Sequence, residues 1–586
     1  MDGTRIAFTL FLLYWMAVIV LDRKGILQKY NISTYGPVLM IRTTRGLKLL
    51  DKLAVPRKAW RVYADIGIRL MFIGMIAMFL VIILSDIAML ASIGDNSMPE
   101  PGKFNEARNI FLIPGVNEFI PLTWGILALV ITLVVHEFSH AILCRVENIR
   151  VKSMGILLAL VPIGGFAEPD EEELFGKREE KYNEQDDPYG DRRLGITIDE
   201  EEKKQVLTTS TGKDEKTASR KQRARILAAG VMANFVVALL AFSLLFGPVL
   251  GAMAPLGDTM IVDVQEGSPA YGSGIRENMV ITQIDDTPIS NVNEMLQYLS
   301  GLEKGTWVTV YAASDRKVLS YEAQVIDTDI KPSGILIQSI VDQGPASAAG
   351  LEAGMHITYI DGSPIRSYTD FRNIMNSSRP GQEMIVSAII GDATGDAVRT
   401  DDYNVTLAEH PDIENKGFLG VVTSMDGQVA TSLGITVGEF PATAYLNLFK
   451  SIPQMLTEIT GWVILLGLPI IGFAGEGFPG FSGTLAQFYE PVGWAEPFGI
   501  GVFWLANALL WIGWLNFYVG LFNCLPAVPL DGGHIFRDYT NAFIYRITGD
   551  EEKAERLSIL IAASFAMLIL LSFLFMIFGP YIVHGL

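Results

Sequence analysis

The sequence is organised around Val134-Val135-His136-Glu137-Phe138-Ser139-His140, an H-E-x-x-H pattern inside an apolar run that begins near Pro121. On a helix, His136 and His140 share one face, so two imidazoles can bind one zinc ion. Glu137 projects beside them, where a general base that activates water is needed. Two histidines packed within a helix are the alternative interpretation. Ionisable groups in hydrocarbon are costly, however, and therefore indicate a function.

Composition identifies a membrane protein. Half of the 586 residues are hydrophobic, and several runs reach the length of about 20 apolar residues that crosses a bilayer. The net charge of -19 argues against nucleic acid as a partner. The two cysteines, Cys144 and Cys524, exclude a disulfide scaffold, and neither is spaced to form a metal site with another cysteine.

Six apolar runs are predicted to be membrane helices. They are Ile6–Leu21, Met71–Ala91, Pro121–Arg145, Ile226–Leu250, Ile500–Phe522 and Leu557–Phe578. Residues 23–61 carry ten Lys or Arg and residues 94–119 only two, which places the first loop in the cytoplasm and both termini outside. His136 then lies about 15 residues, roughly 22 Å, along an inward-running helix. We therefore expect the site in the cytoplasmic half of the bilayer.

A short apolar stretch follows the H-E-x-x-H helix. Gly155–Ile163 is too short to span a membrane, and Gly164, Gly165 and Phe166 interrupt any helix. We expect a re-entrant hairpin lining a wet cavity, with a loop packed on the membrane surface as the alternative. The charged segment Asp170–Arg225 is predicted to be solvated in the cytoplasm, and a plain linker is the simplest interpretation.

A soluble, strand-rich region contains a repeat. Pro269–Ala270 and Gly274–Ile275 recur as Pro345–Ala346 and Gly350–Leu351, at a constant offset of 76 residues. The repeat resembles the PDZ domain, in the permuted form of bacterial-type proteases. Such domains bind peptides by adding them as a strand to a sheet edge, although a spacer role is the alternative. The topology places both copies outside the cytoplasm.

A third zinc ligand is predicted near the carboxyl end. Two histidines leave a catalytic zinc one protein ligand short, and Asp531 is the candidate. Pro526 and Pro529 prevent an unbroken helix, and Gly532-Gly533 are expected to permit a tight turn. For Asp531 to reach the depth of His136, residues 442–473 must not cross the bilayer. We expect them to form an amphipathic helix and loop on the outer face.

Together these motifs resemble the site-2 protease family of intramembrane zinc metalloproteases. They are the intramembrane H-E-x-x-H, the PDZ repeat and the distal set of Asn523, Pro526, Leu530, Asp531, Gly532 and Gly533. The resemblance implies that His136, His140 and Asp531 bind one zinc ion and that Glu137 is the base. It also implies cleavage of a peptide bond within or near a membrane helix of a protein substrate. The two leading helices and Asp170–Arg225 lie outside the resemblance.

Further residues are candidates for substrate binding. The family often has G-P-x-x-N before the PDZ region, and here Gly230-Val231-Met232-Ala233-Asn234 has Val in the Pro position. Asn234 is the candidate for holding the substrate carbonyl, and Asn523 for supporting the Asp531 turn or the substrate strand. We expect the unwound substrate to lie along the hairpin at Gly164, Gly165 and Phe166, by edge addition.

The predicted fold is a polytopic α-helical membrane protein of about six helices, with two α+β PDZ domains inserted before the helix that leads to Asp531. The predicted parts are 1–118, two leading helices and a basic loop; 119–252, the H-E-x-x-H part; 253–330 and 331–412, the PDZ domains; 413–499, the surface helix and loop; and 500–586, the Asp531 part.

The expected function is intramembrane proteolysis, with the bilayer, a membrane-protein substrate and a peptide at the PDZ pair as partners. Two alternatives come from other functional classes. A catalytically silent PDZ adaptor is disfavoured because all three ligands and the base are present. A metal permease would suit several helices around His136, His140 and Asp531. It does not explain Glu137 or the repeat.

Overall fold

The computed structural model describes most of the chain. The residues outside the description are 1–2, 44–46, 95–96, 99, 111–112, 160, 176–216, 315–316, 327–334, 342–343, 366–367, 392–396, 411–412, 424–428, 472–479 and 586. Most of the charged segment expected at Asp170–Arg225 therefore lies outside the described residues. Two units are distinguished. A helical unit comprises Met1–Ser243, Pro469–Gly477 and Ala508–Leu586, and a strand-rich unit comprises Leu244–Leu468 and Phe478–Asn507.

The helices vary from single turns to membrane length. In chain order they are α1 (Gly3–Arg23), α2 (Leu47–Leu53), α3 (Arg57–Gly94), α4 (Ala107–Ile110), α5 (Leu122–Val146), α6 (Glu171–Phe175), α7 (Arg220–Leu244), α8 (Pro269–Ser273), α9 (Val292–Ser300), α10 (Pro345–Ala349), α11 (Tyr368–Ser377), α12 (Ala442–Met455), α13 (Ile459–Ile471), α14 (Gly501–Asn523), α15 (Asp531–Thr548) and α16 (Glu551–His584).

The strands are mostly short. They are β1 (Ile32–Tyr35), β2 (Val38–Thr43), β3 (Val151–Ala159), β4 (Val161–Pro169), β5 (Met253–Pro255), β6 (Thr259–Val264), β7 (Val280–Ile284), β8 (Thr287–Pro288), β9 (Trp307–Ser314), β10 (Lys317–Gln324), β11 (Ile335–Ile340), β12 (Met355–Ile360), β13 (Ser363–Pro364), β14 (Glu383–Gly391), β15 (Ala397–Thr406), β16 (Ala408–His410), β17 (Ile413–Phe418), β18 (Val421–Thr423), β19 (Val429–Ala430), β20 (Ile435–Glu439) and β21 (Tyr489–Pro491).

Five of the described helices are long and apolar enough to cross a membrane. They are α3, α5, α7 with its continuation to Val249, α14 and α16. Each contains at least the roughly 20 residues that span the hydrocarbon core. The sequence also predicted α1 to cross, and it does form a helix of 21 residues. It is not among the five, so its crossing stays a prediction.

The helical unit also contains a four-stranded antiparallel sheet in the order β1-β2-β3-β4. The hairpin predicted around Gly155–Phe166 is present as β3 and β4. The basic loop at residues 23–61 carries a second hairpin, β1 and β2, which pairs with β3 from Leu39 opposite Leu158 to Thr43 opposite Met154. In the sequence, the basic residues of this segment were used only to assign it to the cytoplasmic side, and its two strands were missed.

The core of the helical unit brings α5 and α7 close together. Small buried residues such as Ala141 on α5 and Ala229 on α7 belong to one cluster with Leu143 and Ile226. Small side chains let two helix backbones approach closely, which is how membrane helices commonly pack. α5 ends where Asn148 takes a left-handed φ of 61°. This packing holds the H-E-x-x-H segment against α7.

The strand-rich unit has two main sheets. The first has the order β10-β9-β7-β6-β20-β19, with β8 on β7, and the second has the order β15-β14-β12-β11-β18, with β13 on β12. Repeated residues take equivalent positions. Ile281 and Ile284 in the first core, like Ile357 and Ile360 in the second, are fully buried. The pattern of apolar residues in the repeat therefore corresponds to two separate cores.

The two sheets are nested in the chain rather than consecutive. β20 pairs with β6 and completes the first sheet, although it follows the second sheet in sequence. β18 likewise completes the second sheet by pairing with β11. β18, β19 and β20, which the sequence assigned to a surface helix and loop, thus supply strands to the two sheets. The physical reason is that β6 and β11 would otherwise leave backbone N–H and C=O groups unpaired at a sheet edge, and the later strands β20 and β18 pair with them.

The segment after the sheets contains the expected amphipathic helix. On α12 the residues Tyr445, Leu446, Phe449 and Ile452 are buried along one face. The next helix, α13, has 13 residues, fewer than the roughly 20 required for a span. Its location relative to a bilayer stays a prediction.

Candidate active site

α5 carries His136, Glu137 and His140. The two imidazole rings lie on one face of the helix, with centroids 4.7 Å apart and planes at 82°. Their Nε2 atoms are 3.1 Å apart. His136 is 8% exposed, so this pair is enclosed rather than solvated.

Asp531 reaches the same point from the other end of the chain. It is the first residue of α15, after Leu530 at the N-cap. Its Oδ2 atom lies 3.3 Å from Nε2 of His136 and 3.3 Å from Nε2 of His140. Among the described residues this is the group whose ligand atoms are close enough to hold a metal ion. The predicted convergence of the two motifs is therefore present in the structure.

The spacing of the three ligand atoms fits zinc. A tetrahedral zinc ion with bonds of about 2.0–2.1 Å separates its ligands by about 3.3 Å. The observed separations are 3.1 Å between the imidazoles and 3.3 Å from each imidazole to the carboxylate. Oδ2 of Asp531 is buried and has no hydrogen-bond partner among the described residues. A cation between the three atoms would satisfy their lone pairs.

Both rings are oriented by α7. Nδ1 of His140 lies 2.7 Å from the carbonyl oxygen of Ile226, and Nδ1–H donation to that oxygen leaves Nε2 free to bind metal. Nδ1 of His136 lies 3.1 Å from Nδ2 of Asn234. The Oδ1 atom of Asn234 is buried and has no hydrogen-bond partner in the described part of the chain. Turning the amide by 180° lets Oδ1 accept from Nδ1–H and fixes the same tautomer. Asn234, predicted to bind substrate, therefore contacts His136, a predicted zinc ligand.

Gly230 makes the approach of α7 possible. A Cβ atom there would lie 2.4 Å from Nε2 of His140 and 2.7 Å from Cε1 of His136. Contacts this short do not occur, so a side chain would displace both imidazoles. The sequence pattern pointed to this glycine, but its reason became visible only from the packing of α7 on α5.

Gly532 and Gly533 serve close packing instead of the tight turn expected from the sequence. Both lie within α15, and the preceding turn is made by the residues after Asn523. A Cβ at Gly532 would lie 2.4 Å from the carbonyl oxygen of Cys524, and one at Gly533 would lie 2.3 Å from the carbonyl carbon of Ala527. The glycines therefore let the first turn of α15 rest on the loop that precedes it.

Replacing Gly533 by alanine should displace Asp531 and lower zinc affinity by at least about tenfold, the loss expected when a ligand's support is removed. The added methyl group would collide with backbone atoms, which cannot rotate away. Isothermal titration of the purified apoprotein with zinc measures the change. The matched control is Gly251→Ala, because a Cβ atom at Gly251 has no other atom within 4 Å. Gly549→Ala is unsuitable as a control, since Gly549 has a positive φ of 67° that strains any other residue. Equal zinc affinity in Gly533→Ala and wild type would contradict this role.

A network of ion pairs that sequence reasoning missed includes Arg225, the residue before Ile226 on α7. Arg225 binds both carboxylate oxygens of Asp65, at 2.7 and 2.9 Å, and contacts Glu147 at 3.1 Å. Arg61 contacts the same glutamate at 3.0 Å. Because Glu147 is only 3% exposed, two arginines offset the cost of burying its charge. This network ties α3, α5 and α7 together beside Ile226, the residue that orients His140.

A second ion pair connects α7 with α15. Arg223 contacts Asp538 through its Nε atom at 2.8 Å, and both side chains are largely buried. Asp538 lies two helical turns after Asp531, on the same helix. The pair therefore links the helix that orients the imidazoles to the helix that carries the carboxylate. Charge alone gave no sign of this pairing, because it depends on the packing of distant helices.

Glu137 borders a cavity of about 270 Å³. The cavity is lined by residues of α5 (Val130, Leu133, Val134, Glu137 and Phe138), of β2 (Thr43), of β3 (Met154, Gly155 and Ile156) and of β4 (Phe166). Of the predicted substrate-binding residues, Phe166 thus faces the same space as the predicted base.

The other predicted substrate-binding residues lie on two elements. Gly164 and Gly165 are on β4, opposite Leu157 and Ile156 of β3. Asn523 ends α14 and donates from Nδ2 to the carbonyl oxygen of Val519 at 3.0 Å, within its own helix. That contact holds the side chain of Asn523 against α14, just before the loop leading to Asp531.

Comparison with known proteins agrees with this geometry. Residues 124–571 match the model of peptidase family M50. This range covers most of the chain and includes His136, Glu137, His140 and Asp531, but not α1 to α4.

Curated relatives are distant but extensive. The "Regulator of sigma-E protease RseP" of Salmonella typhimurium is 23% identical over 465 residues, which are 71% of this chain and 90% of that protein. An uncharacterised protein of Methanocaldococcus jannaschii is 25% identical over 340 residues, 58% of this chain and 74% of its own. A protein of Neisseria meningitidis serogroup A, named as a candidate zinc metalloprotease, is 23% identical over 443 residues, 70% of this chain and 88% of its own.

Two solved structures similar to part of the chain are PDZ domains. One, from an SdrC-like protein of Listeria monocytogenes, is 22% identical with a TM-score of 0.14, and covers 16% of this chain and 93% of its own. Another, from an SdrC-like protein of Listeria innocua, is 22% identical with a TM-score of 0.14. The match covers 15% of this chain and 92% of the Listeria innocua chain.

Proposed function

Because the chain belongs to peptidase family M50, we propose that this membrane metalloprotease cleaves a peptide bond within or next to a membrane-spanning segment of other membrane proteins. The observation that carries the proposal is the convergence of His136, His140 and Asp531 on one point beside Glu137, between apolar helices. A site at such a location can act on a bond that soluble proteases do not reach.

The chemistry divides between the metal and the protein. When bound, zinc polarises a peptide carbonyl and makes water more acidic. Glu137 accepts the proton of the attacking water and later delivers it to the leaving amine. The carbonyl of Ile226 and the amide of Asn234 hold His140 and His136 in the tautomers that expose Nε2. Asn234 thereby acts as a positioning residue, and its amide can also face a substrate carbonyl.

The substrate is proposed to lie extended along β4. A helical segment must unwind before its peptide bond is accessible, and an extended segment can be held by edge addition to a sheet. β3 is paired on both sides, by β2 and β4, so it offers no edge. The outer edge of β4 pairs with no strand in the described part of the chain. Gly164, Gly165 and Phe166 are then the residues along which the substrate strand lies.

The proposed orientation places the zinc site in the cytoplasmic half of the bilayer. The positions of basic residues support this orientation, since they are concentrated on the cytoplasmic side of membrane proteins. They include Arg223 and Arg225 at the start of α7 and the ten Lys or Arg in residues 23–61. The two sheets of the strand-rich unit are proposed to be extracytoplasmic PDZ domains that bind a peptide or protein segment. The Salmonella relative is named as a regulator of sigma-E protease, which supports a regulatory role for the proposed cleavage.

The test is cleavage by the purified protein in vesicles of phosphatidylethanolamine and phosphatidylglycerol. The probes are single-span model proteins with helix-weakening residues at different depths. We expect fragments cut within or beside the span, their loss after treatment with 1,10-phenanthroline, and their return with added zinc. Chelation removes the ion that activates water, so cleavage should fall to background. Cleavage that survives chelation, or zinc flux into sealed vesicles without cleavage, would contradict the proposal.

A further inference from the structure

The amino-terminal segment lies outside residues 124–571, which match the peptidase family, yet it borders the predicted base. Its strands β1 and β2 extend the sheet formed by β3 and β4. The contribution of this segment to the site is therefore a property of this chain that the family match does not describe.

The pairing of β2 with β3 requires a glycine. A Cβ atom at Gly155 would lie 2.0 Å from the carbonyl oxygen of Ile41 on β2, and 2.6 Å from the ring of Phe166 on β4. β3 therefore has no room for a side chain at the point where its two neighbours approach it. The glycine at position 155 therefore allows β2 to pair with β3 in this register.

A second contact fixes the same segment to the sheet. The hydroxyl of Tyr14 on α1 donates to the carbonyl oxygen of Leu158 on β3 at 3.1 Å. Leu158 lies opposite Leu39 of β2. Helix α1 and strand β2 thus both reach β3 near one end, while the other end of β2, at Thr43, is left beside the cavity.

The cavity beside Glu137 is almost entirely apolar. Except for Thr43 and Glu137, the side chains that line it are aliphatic, aromatic or methionine. A pocket of this kind selects an apolar side chain, because filling it removes apolar surface from water. Thr43 is the wall residue that the amino-terminal segment supplies.

The cavity is lined by Glu137, which follows His136 directly on α5. On an α-helix, Val130 and Val134 lie about 20° and about 60° to one side of Glu137. Leu133 lies about 40° to the other side, next to His140 at about 60° and His136 at about 100°. The cavity-lining face of α5, which includes Glu137 and Leu133, therefore borders the face that carries His136 and His140. A peptide whose carbonyl is at the zinc site would direct a neighbouring side chain into the cavity.

We propose that the amino-terminal segment is part of the substrate-binding site and that Thr43 helps determine specificity. The cavity receives the apolar side chain of the substrate residue that flanks the cleaved bond, and Thr43 limits its size. This inference rests on the proposed function, since its occupant is a residue of the protein substrate.

The first experiment measures specificity. Single-span model proteins carry Ala, Leu or Phe at the positions flanking the bond that wild type cleaves, as mapped by mass spectrometry. Thr43→Trp should lower the ratio of Phe to Ala cleavage by at least about tenfold, since small changes in an apolar pocket alter selectivity by about 10–200-fold. Ser33→Trp is the matched control, because it adds the same bulk to an exposed hydroxyl residue of β1. Bound zinc confirms folding of each variant.

The second experiment detects proximity without turnover. Thr43→Cys in the Glu137→Gln background should form a disulfide, under diamide, with a substrate cysteine flanking the cleavage position, whereas Ser33→Cys should not. The native Cys144 and Cys524 are buried and give little background. If wild type cleaves the panel but Thr43→Trp and Ser33→Trp share one Phe-to-Ala ratio, or the two cysteines cross-link equally, the inference is overturned. If wild type cleaves no panel member, the proposed function itself has failed.

Discussion

Replacing Glu137 by glutamine should lower peptide-bond cleavage by about 10²–10⁴-fold, the usual contribution of a general base, while one zinc ion stays bound per chain. Glutamine keeps the size of the side chain but cannot accept a proton. The three ligand atoms are on His136, His140 and Asp531, so the metal site itself is unchanged. Cleavage of a single-span model protein and zinc content by atomic absorption are measured on the same preparation.

Glu137→Asp provides the matched comparison for this prediction. It retains a carboxylate but moves it by about one carbon–carbon bond, so part of the activity should return. Retained cleavage in Glu137→Gln would remove Glu137 from the catalytic role. Loss of zinc in Glu137→Gln would show instead that the residue supports the metal site.

Replacing Gly230 by alanine should lower zinc affinity by at least about 10–100-fold and abolish cleavage at ordinary zinc concentrations. The added methyl group would occupy the space of Nε2 of His140 and Cε1 of His136, at 2.4 and 2.7 Å. The rings can avoid it only by rotating, which moves their Nε2 atoms away from Asp531. Alanine favours a helix over glycine by about 1 kcal/mol, so loss of helix stability does not explain the effect.

Gly247→Ala is the matched control for Gly230→Ala. Gly247 lies on the same membrane-length helical run, and a Cβ there meets nothing within 4 Å. Zinc affinity is measured by competition with a fluorescent chelator for both variants. Wild-type affinity in Gly230→Ala would contradict the packing of α7 on the two histidines.

The sequence was most informative where chemistry restricts residue type. The spacing of His136 and His140 and the need for a third ligand sufficed to predict their meeting with Asp531, which the structure shows. The repeat similarly predicted two strand-rich cores. In each case a local pattern encodes a physical requirement, either metal coordination or alternate burial.

Sequence reasoning failed where distant backbones come together. The roles of Gly155 and Gly230 depend on the approach of β2 and α7, and no local pattern encodes those neighbours. The pairing of Arg225 with Glu147, and the closure of the first sheet by β20, likewise depend on which distant segments meet. Gly532 and Gly533 were expected to form a turn, because their close contact with the backbone of the preceding loop is not visible in the sequence.

X-ray absorption at the zinc edge of the purified protein tests the joint ligation by His136, His140 and Asp531 most directly. We predict one zinc per chain with two imidazole nitrogens and carboxylate oxygen in its coordination shell, and loss of the oxygen contribution or of the zinc itself in Asp531→Ala. Sulfur ligation, or a spectrum and zinc content unchanged in Asp531→Ala, would contradict it.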